Sequence, residues 1–209
     1  MKPLAVLVPV KSSGAKSRLS PVLSRVERQE LESLLLSGVL GAIREAGLLS
    51  ATYVVSSDPE ILQLATRTGA SIVREARDEG VNAAVEAGVS ALDSPPRVLV
   101  LPSDLPLLLA SQVKHMVALG EMLQVVIAPS TSFNGTNALV FPPKVGLPLS
   151  YDNDSFWNHL RASARKGLSV GVVSKPGLTF DLDSPEDLRK LARARSENSA
   201  VAFARRTIK

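Results

Sequence analysis

An aspartate interrupts a strongly apolar stretch of the sequence, LPSDLPLLL at residues 101–109. Burying an unpaired carboxylate is costly unless a cation or hydrogen bonds compensate its charge. Asp104 follows the apolar run RVLVL, and Pro102 and Pro106 stiffen the chain on both sides of it. We therefore predict that Asp104 is presented at the end of a strand, close to a cationic group. A turn or helix-capping aspartate is the simpler alternative.

A second acidic segment, FDLDSPEDL, covers residues 180–188. Asp181 and Asp183 are two positions apart and share one face if the stretch is extended. The chain has no cysteine, so a metal site is expected to use oxygen ligands. Asp104 and Asp183 together favour Mg²⁺, completed by water and substrate phosphates.

A cationic segment, PVKSSGAKSRLS, follows the first apolar run of the chain. Lys11, Lys16 and Arg18 supply positive charge, and the small residues at 12–15 allow backbone N–H groups to approach an anion. The segment matches neither of the common glycine-rich phosphate motifs. It predicts a phosphate-binding loop, with an ordinary surface loop as the alternative.

Short apolar runs alternate with helical patterns along the chain. The predicted strands are LAVLVPV, TYVVSS, SIVRE, RVLVLPS, QVVIAPS, NALVFP and LSVGVVS. Several of these runs are apolar on both faces, which is typical of a sheet covered by helices on both sides.

Helix-capping signals separate these strands. Helices are predicted from Ser24-x-x-Glu27 to about residue 46, from Asp58-Pro59 to about residue 68, and from Ser184-Pro185 onward. The alternation predicts a Rossmann-like α/β fold, a single domain over residues 1–209 with a mixed, mostly parallel sheet. Ligands are expected at the carboxyl ends of its strands.

Composition restricts the remaining classes. The absence of cysteine excludes disulfides and thiolate chemistry. The N-terminus lacks the pattern of a signal peptide, and no apolar stretch approaches a membrane span, so we predict a cytoplasmic protein without membrane contact. Seven of the 24 lysines and arginines lie in residues 188–209, which we expect to form a solvated helix end. No aromatic residues alternate with them, so nucleic acid is not expected as a partner.

Taken in order, several segments resemble the CofC family over nearly the whole chain. They are VPVK, AKSRLSPVLS, EGVNAAV, LPSDLPLL, PS with the following GTNAL, SYDNDSFWNHLRASARKG and DLDSPEDL. Members of this family are 2-phospho-L-lactate guanylyltransferases of coenzyme F-420 biosynthesis. The resemblance implies a nucleotidyltransferase (GT-A-like) fold, GTP with Mg²⁺ as donor, and a phosphorylated three-carbon acid as acceptor.

The resemblance also implies roles for individual residues. Asp104 and Asp183 match the metal-binding aspartates, and Asp104 also lies beside the nucleotide. The basic residues Lys11, Lys16 and Arg18 match the segment near the triphosphate, and Gly80 and Asn82 match the positions close to the base. The positions that match the acceptor site are Thr136, Asn137, Asp152, Ser155 and His159.

Two of these acceptor-site positions, Asp152 and His159, each carry a further expectation. Asp152 stands where the family usually has glycine, and its charge is expected to repel an acceptor phosphate. His159 follows Ser155 by four positions, so that both side chains could reach one phosphate from a helix, or His159 could simply pack in the core.

Other functions remain open at this point. Another Mg²⁺-dependent nucleotidyltransferase of the same fold, of molybdopterin or sugar-phosphate type, is disfavoured because the chain lacks the L-A-G-G-x-G-x-R start of those enzymes. A non-catalytic nucleotide-binding protein is disfavoured by the two aspartates. The choice among 2-phospho-L-lactate, phosphoenolpyruvate and 3-phosphoglycerate is open, and so is assembly, including a homodimer.

Overall fold

A computed structural model describes residues 4–11 and 16–208 of the chain. Its centre is a seven-stranded sheet with the order β3-β2-β1-β4-β6-β5-β7. The strands are β1 Ala5–Pro9, β2 Thr52–Ser56, β3 Ser71–Arg74, β4 Val98–Val100, β5 Val125–Pro129, β6 Thr136–Phe141 and β7 Val170–Val172. Six of the seven predicted runs contain a whole strand, and NALVFP, at residues 137–142, covers β6 except for its first residue, Thr136.

The direction of β6 matters for function. The pairs β1–β2, β1–β4, β2–β3 and β5–β7 are parallel, whereas β6 runs antiparallel to both β4 and β5. The first residue of β6, Thr136, therefore lies at the edge of the sheet where β1 and β4 end. The predicted mixed, mostly parallel α/β sheet is confirmed.

Helices cover both faces of the sheet. They are α1 Arg25–Glu45, α2 Pro59–Thr68, α3 Val81–Ser90, α4 Ala110–Met122, α5 Ser155–Arg165, α6 Pro176–Thr179, α7 Pro185–Ala192 and α8 Ser199–Thr207. The predicted caps are present. Ser24 forms a capping box with Glu27, Asp58 caps α2, and Ser184 forms a capping box with Asp187.

The core follows the alternation of the strands. In β1, Val6 and Val8 pack into a cluster with α1 and α4, and Leu7 points to the opposite face, into a cluster with α3 and α5. This two-sided burial fixes the sheet and so fixes where its strands end.

The basic C-terminal segment is more ordered than the sequence predicts. Instead of a solvated helix end, it forms α8, whose Val201, Phe203 and Ala204 are buried in a third cluster with α1 and α7. Arg206 pairs with Glu30 of α1 at 2.7 Å. The prediction was wrong for the apolar face of α8. The basic residues of this segment stand beside a short amphipathic pattern, whose apolar residues are buried.

No helix in residues 4–11 or 16–208 is long and apolar enough to cross a membrane.

Candidate functional site

A cleft of about 1030 Å³ opens at the edge of the sheet where β1 and β4 end and β6 begins. Five segments of the sequence supply most of the polar side chains of this cleft, and Glu32, Val81 and residues of the loop between β5 and β6 also line it. The five segments are the segment after β1, the loop after β4, the start of β6, the loop at residues 151–155, and the acidic segment with Asp181 and Asp183. Ligands of open α/β sheets bind at this position.

Lys16 is the cation predicted to lie near Asp104. Its ammonium nitrogen lies 3.0 Å from Asp104 Oδ2 and 2.9 Å from Asp183 Oδ1, and it also donates to the carbonyl of Leu182. The N–H of Leu182 donates to the carbonyl of Asp104, at 3.1 Å. The two acidic segments are thus joined through both backbone and side chains, and Asp104 and Asp183 share one cation.

The charges of this triad reinforce each other. Burial disfavours the charge of Lys16, but the negative charges of Asp104 and Asp183 and their hydrogen bonds outweigh it, so the pKa of Lys16 is raised. Burial also acts against the charge of Asp183, and the opposing effect of Lys16 leaves the pKa of Asp183 below its ordinary value. Lys16 and Asp183 therefore both carry their charges near neutral pH.

Asp181 is a cleft residue that the site prediction left out. Its Oδ1 accepts a hydrogen bond from Asn137 Nδ2 at 3.1 Å. Burial raises the pKa of Asp181, the bond from Asn137 opposes this, and the neighbouring charges of Asp104 and Asp183 raise it further. The sequence signal for Asp181 was its Asp-x-Asp spacing with Asp183, which places both side chains on one face of an extended segment.

The other basic residues of the N-terminal segment lie at the mouth of the cleft. Lys11 and Arg18 are exposed and line it, and Arg18 Nη1 lies 4.0 Å from Asp183 Oδ2. The predicted small-residue loop at positions 12–15 lies outside the described residues. The structure thus brings all three predicted basic side chains to the cleft, with Lys16 bound to the carboxylates.

Hydroxyl and amide groups, together with the carboxylate of Asp152, form a second wall of the cleft. Thr136 at the start of β6 and Ser155 at the start of α5 are both buried and both line the cleft. Ser155 follows Asp154, which has a left-handed backbone with φ of 58°. This wall contains the predicted acceptor residues Thr136, Asn137, Asp152 and Ser155.

Asn82 uses its side chain to hold the loop at residues 151–155. Its Oδ1 accepts from the N–H of Tyr151 at 2.8 Å, and its Nδ2 donates to Asp152 Oδ2 at 3.0 Å. Gly80, with φ of 93°, precedes α3 and lines a small hollow beside Lys11. Both predicted base-binding residues therefore lie next to the cleft, and Asn82 is bonded to the loop at residues 151–155.

His159 lies behind the cleft wall. It is fully buried, its Nδ1 lies 3.0 Å from Thr136 Oγ1, and its Nε2 accepts from the N–H of Ser150 at 3.1 Å. The ring of Tyr151 packs edge-on against it at 5.0 Å. His159 therefore contacts Thr136 from behind the wall, whereas Ser155 itself lines the cleft.

The carboxylates can serve as part of a magnesium site. Lys16 uses one oxygen of Asp104 and one of Asp183, so each carboxylate has a second hard oxygen to offer. Within the described ranges no group of three or more His, Cys, Asp or Glu side chains is placed to hold a metal. The donor set fits Mg²⁺, which is commonly held by one or two carboxylates with substrate phosphates and water.

Comparison with known families decides where this chain belongs. The family described as "Guanylyl transferase CofC like" matches residues 4–207. The chain belongs to the CofC family of guanylyl transferases.

Named relatives of this CofC chain match most of its length. It is 42% identical to a phosphoenolpyruvate guanylyltransferase of Rubrobacter xylanophilus, over 88% of the chain and 91% of the relative. It is 32% identical to a 2-phospho-L-lactate guanylyltransferase of Methanothermobacter thermautotrophicus, over 91% and 84%. It is 34% identical to a 3-phospho-D-glycerate guanylyltransferase of Phenylobacterium zucineum, over 86% and 85%.

Solved structures support the fold of the CofC chain. A nucleotidyl transferase from Methanothermobacter thermautotrophicus superposes with a TM-score of 0.66 at 16% identity, covering 97% of the chain and 99% of the other. CMP:2-keto-3-deoxy-manno-octonic acid synthetase, complexed with CTP, gives 0.61 at 11% identity, covering 97% and 99%. These likenesses show a nucleotidyltransferase fold.

Proposed function

We propose that this chain transfers the guanylyl group of GTP to phosphoenolpyruvate, in the guanylyl-transfer step of coenzyme F-420 biosynthesis. The relative with 42% identity carries the name phosphoenolpyruvate guanylyltransferase. Relatives named for 2-phospho-L-lactate and 3-phospho-D-glycerate are 32% and 34% identical. All three named acceptors are phosphorylated three-carbon acids. The three relatives together support this class of acceptor, and the 42% identity supports phosphoenolpyruvate within the class.

The observation that carries the proposal is the division of the cleft into two chemically different walls. Asp104 and Asp183, with Lys16, Lys11 and Arg18 around them, form a charged wall. Thr136 and Ser155 offer hydroxyl groups in the second wall, which also contains Asp152. A nucleoside triphosphate with its metal suits the first wall, and an acceptor phosphate suits the second.

The reaction needs no side-chain nucleophile. An oxygen of the acceptor phosphate attacks the α-phosphorus of GTP, the bond between this phosphorus and the β-bridging oxygen breaks, and pyrophosphate leaves. Because the acceptor is already an anion, the protein has only to position it and to stabilise the departing charge. We assign the positioning to Thr136 and Ser155, and the charge stabilisation to Lys11 and Arg18.

Asp104 and Asp183 are the residues that would hold Mg²⁺. When bound there, the metal would neutralise charge on phosphate oxygens of GTP. Lys16 keeps the two carboxylates together, and so preserves their arrangement before substrates arrive.

The test is a parallel assay of the purified protein with Mg²⁺ and GTP, supplying phosphoenolpyruvate, 2-phospho-L-lactate or 3-phosphoglycerate in turn. Mass spectrometry of the products is expected to show a guanylylated acid, formed with the highest kcat/KM from phosphoenolpyruvate. ATP replaces GTP in a matched control. Faster transfer to another of the three acids would overturn the choice of acceptor, and no guanylylated product from any of them would overturn the function.

A further inference from the structure

The hydrogen bonds of His159 define its protonation state. The group facing Nε2 is the backbone N–H of Ser150, at 3.1 Å. A backbone N–H can only donate, so Nε2 must present its lone pair. In a neutral imidazole the proton then resides on Nδ1.

This tautomer determines what the hydroxyl of Thr136 does. Nδ1 lies 3.0 Å from Thr136 Oγ1, and because it carries the proton, it is the donor in that bond. The hydroxyl proton of Thr136 cannot point back at His159 and must be given to another acceptor. Thr136 lines the cleft, so that an acceptor in the cleft can take this proton.

Burial keeps the arrangement stable. His159 is fully buried, and this burial lowers the pKa of its imidazole to about 4. The ring is therefore neutral near pH 7, and the direction of the Thr136 bond does not change across the physiological range.

We propose that His159 is a positioning residue for the acceptor. It orients the hydroxyl of Thr136 as a donor into the cleft, and it accepts from the N–H of Ser150, directly before the loop at residues 151–155. This inference rests on the proposed function, since the group that receives the hydroxyl proton is the phosphate of the acceptor acid. His159 acts through Thr136 and touches no substrate itself.

A donor held in this way discriminates between ligands. A phosphate oxygen without a proton accepts the bond from Thr136, whereas an ammonium group of a competing ligand has no lone pair with which to accept it. The hydroxyl of Thr136 therefore favours an anionic oxygen, although Asp152 places a negative charge in the same wall.

Two substitutions separate the two bonds of His159. In His159→Asn the side-chain amide can place an N–H near the position of Nδ1, which keeps the bond to Thr136. In His159→Gln the longer side chain can place its oxygen near the position of Nε2, which keeps the bond from Ser150. We expect His159→Gln to raise KM for the acceptor at least about tenfold with KM for GTP unchanged, and His159→Asn to retain more of the acceptor affinity.

A double-variant cycle tests whether His159 acts through Thr136. Thr136→Val removes the hydroxyl, so adding His159→Gln to it is expected to cause little further rise in KM for the acceptor. Additive effects, or equal effects on GTP and acceptor, would overturn the inference. If the unmodified protein showed no guanylyl transfer, the proposed function would be overturned instead, so the two failures are distinguishable.

A measurement on the unmodified protein keeps the inference testable if a variant fails to fold. The chain contains two histidines, and the second, His115, is exposed on α4. NMR of protein with ¹⁵N-labelled histidine, with His115→Gln for assignment, is expected to show a proton on Nδ1 of His159 and none on Nε2. A proton on Nε2 would overturn the inference.

Discussion

The ammonium of Lys16 lies 3.0 Å from Asp104 Oδ2, although 88 positions separate the two residues. The same nitrogen lies 2.9 Å from Asp183 Oδ1. One buried cation thus links the loop after β1, the loop after β4 and the acidic segment before α7.

Replacing Lys16 with Met is expected to destabilise the protein and to increase its response to Mg²⁺. Without the ammonium, Asp104 and Asp183 repel each other, and we expect the free energy of unfolding at pH 7 to fall by about 1–3 kcal/mol, because both carboxylates are partly exposed and screened. Denaturant unfolding with and without Mg²⁺ measures this. If the two carboxylates are the metal site, Mg²⁺ restores stability to Lys16→Met more than it raises that of the unmodified protein.

The acidic pair itself is the target of a second prediction. Asp104→Asn and Asp183→Asn are each expected to lower kcat/KM at least about a hundredfold with the fold retained, as loss of an electrostatic stabiliser typically does. Glu121→Gln, on the exposed side of α4, is the matched control that removes a carboxylate elsewhere. Near-normal Mg²⁺-dependent turnover of Asp104→Asn would exclude it from the metal site.

Asp152 allows its charge and its hydrogen bond to be tested separately. Asp152→Asn removes the charge but keeps an oxygen that can accept the 3.0 Å bond from Asn82, whereas Asp152→Ala removes both. If the charge repels the acceptor phosphate, Asp152→Asn lowers KM for the acceptor several-fold, most strongly at low ionic strength. Asp152→Ala is expected to lose part of this gain because the loop is released from Asn82.

Initial rates at two salt concentrations decide this prediction. Identical acceptor KM values for both variants and the unmodified protein would show that neither the charge nor the bond matters.

The stability of the protein is expected to depend on His159 between pH 6.5 and pH 4. The unfolded chain binds a proton at this histidine below its ordinary pKa of 6.5, whereas burial holds the pKa of the folded protein at about 4. The unfolded state therefore binds more protons in this window, and the free energy of unfolding falls as the pH is lowered, by on the order of 3 kcal/mol.

Unfolding of His159→Gln across the same pH range is the comparison. Carboxylates titrate in both proteins, so the difference between the two curves isolates the histidine. Parallel curves would show that His159 is not held neutral by burial.

The sequence predicted the fold well because the signals are local. Seven apolar runs gave the seven strands, and Ser24, Asp58 and Ser184 cap the helices where their spacing indicated. The antiparallel direction of β6 was not assigned from the sequence, since its apolar pattern is compatible with either direction. That direction is what brings Thr136 to the cleft.

The sequence predicted which residues form the site better than it predicted which of them contact each other. The apolar surroundings of Asp104 indicated a nearby cation, and Lys16 supplies it. No local pattern shows that Asn82 bonds the loop of Asp152, or that His159 bonds Thr136, because these contacts join residues far apart in the chain. Only the tertiary fold specifies them.

The most direct test of guanylyl transfer is the release of pyrophosphate from GTP and Mg²⁺ with and without phosphoenolpyruvate, followed in the same sample as the guanylylated product. We predict that pyrophosphate appears only with the acceptor, that it equals the guanylylated product mole for mole, and that Asp104→Asn lowers the rate of formation of both at least about a hundredfold. Pyrophosphate released at the same rate without any acceptor, or an acceptor that leaves the reaction unguanylylated, would contradict the account.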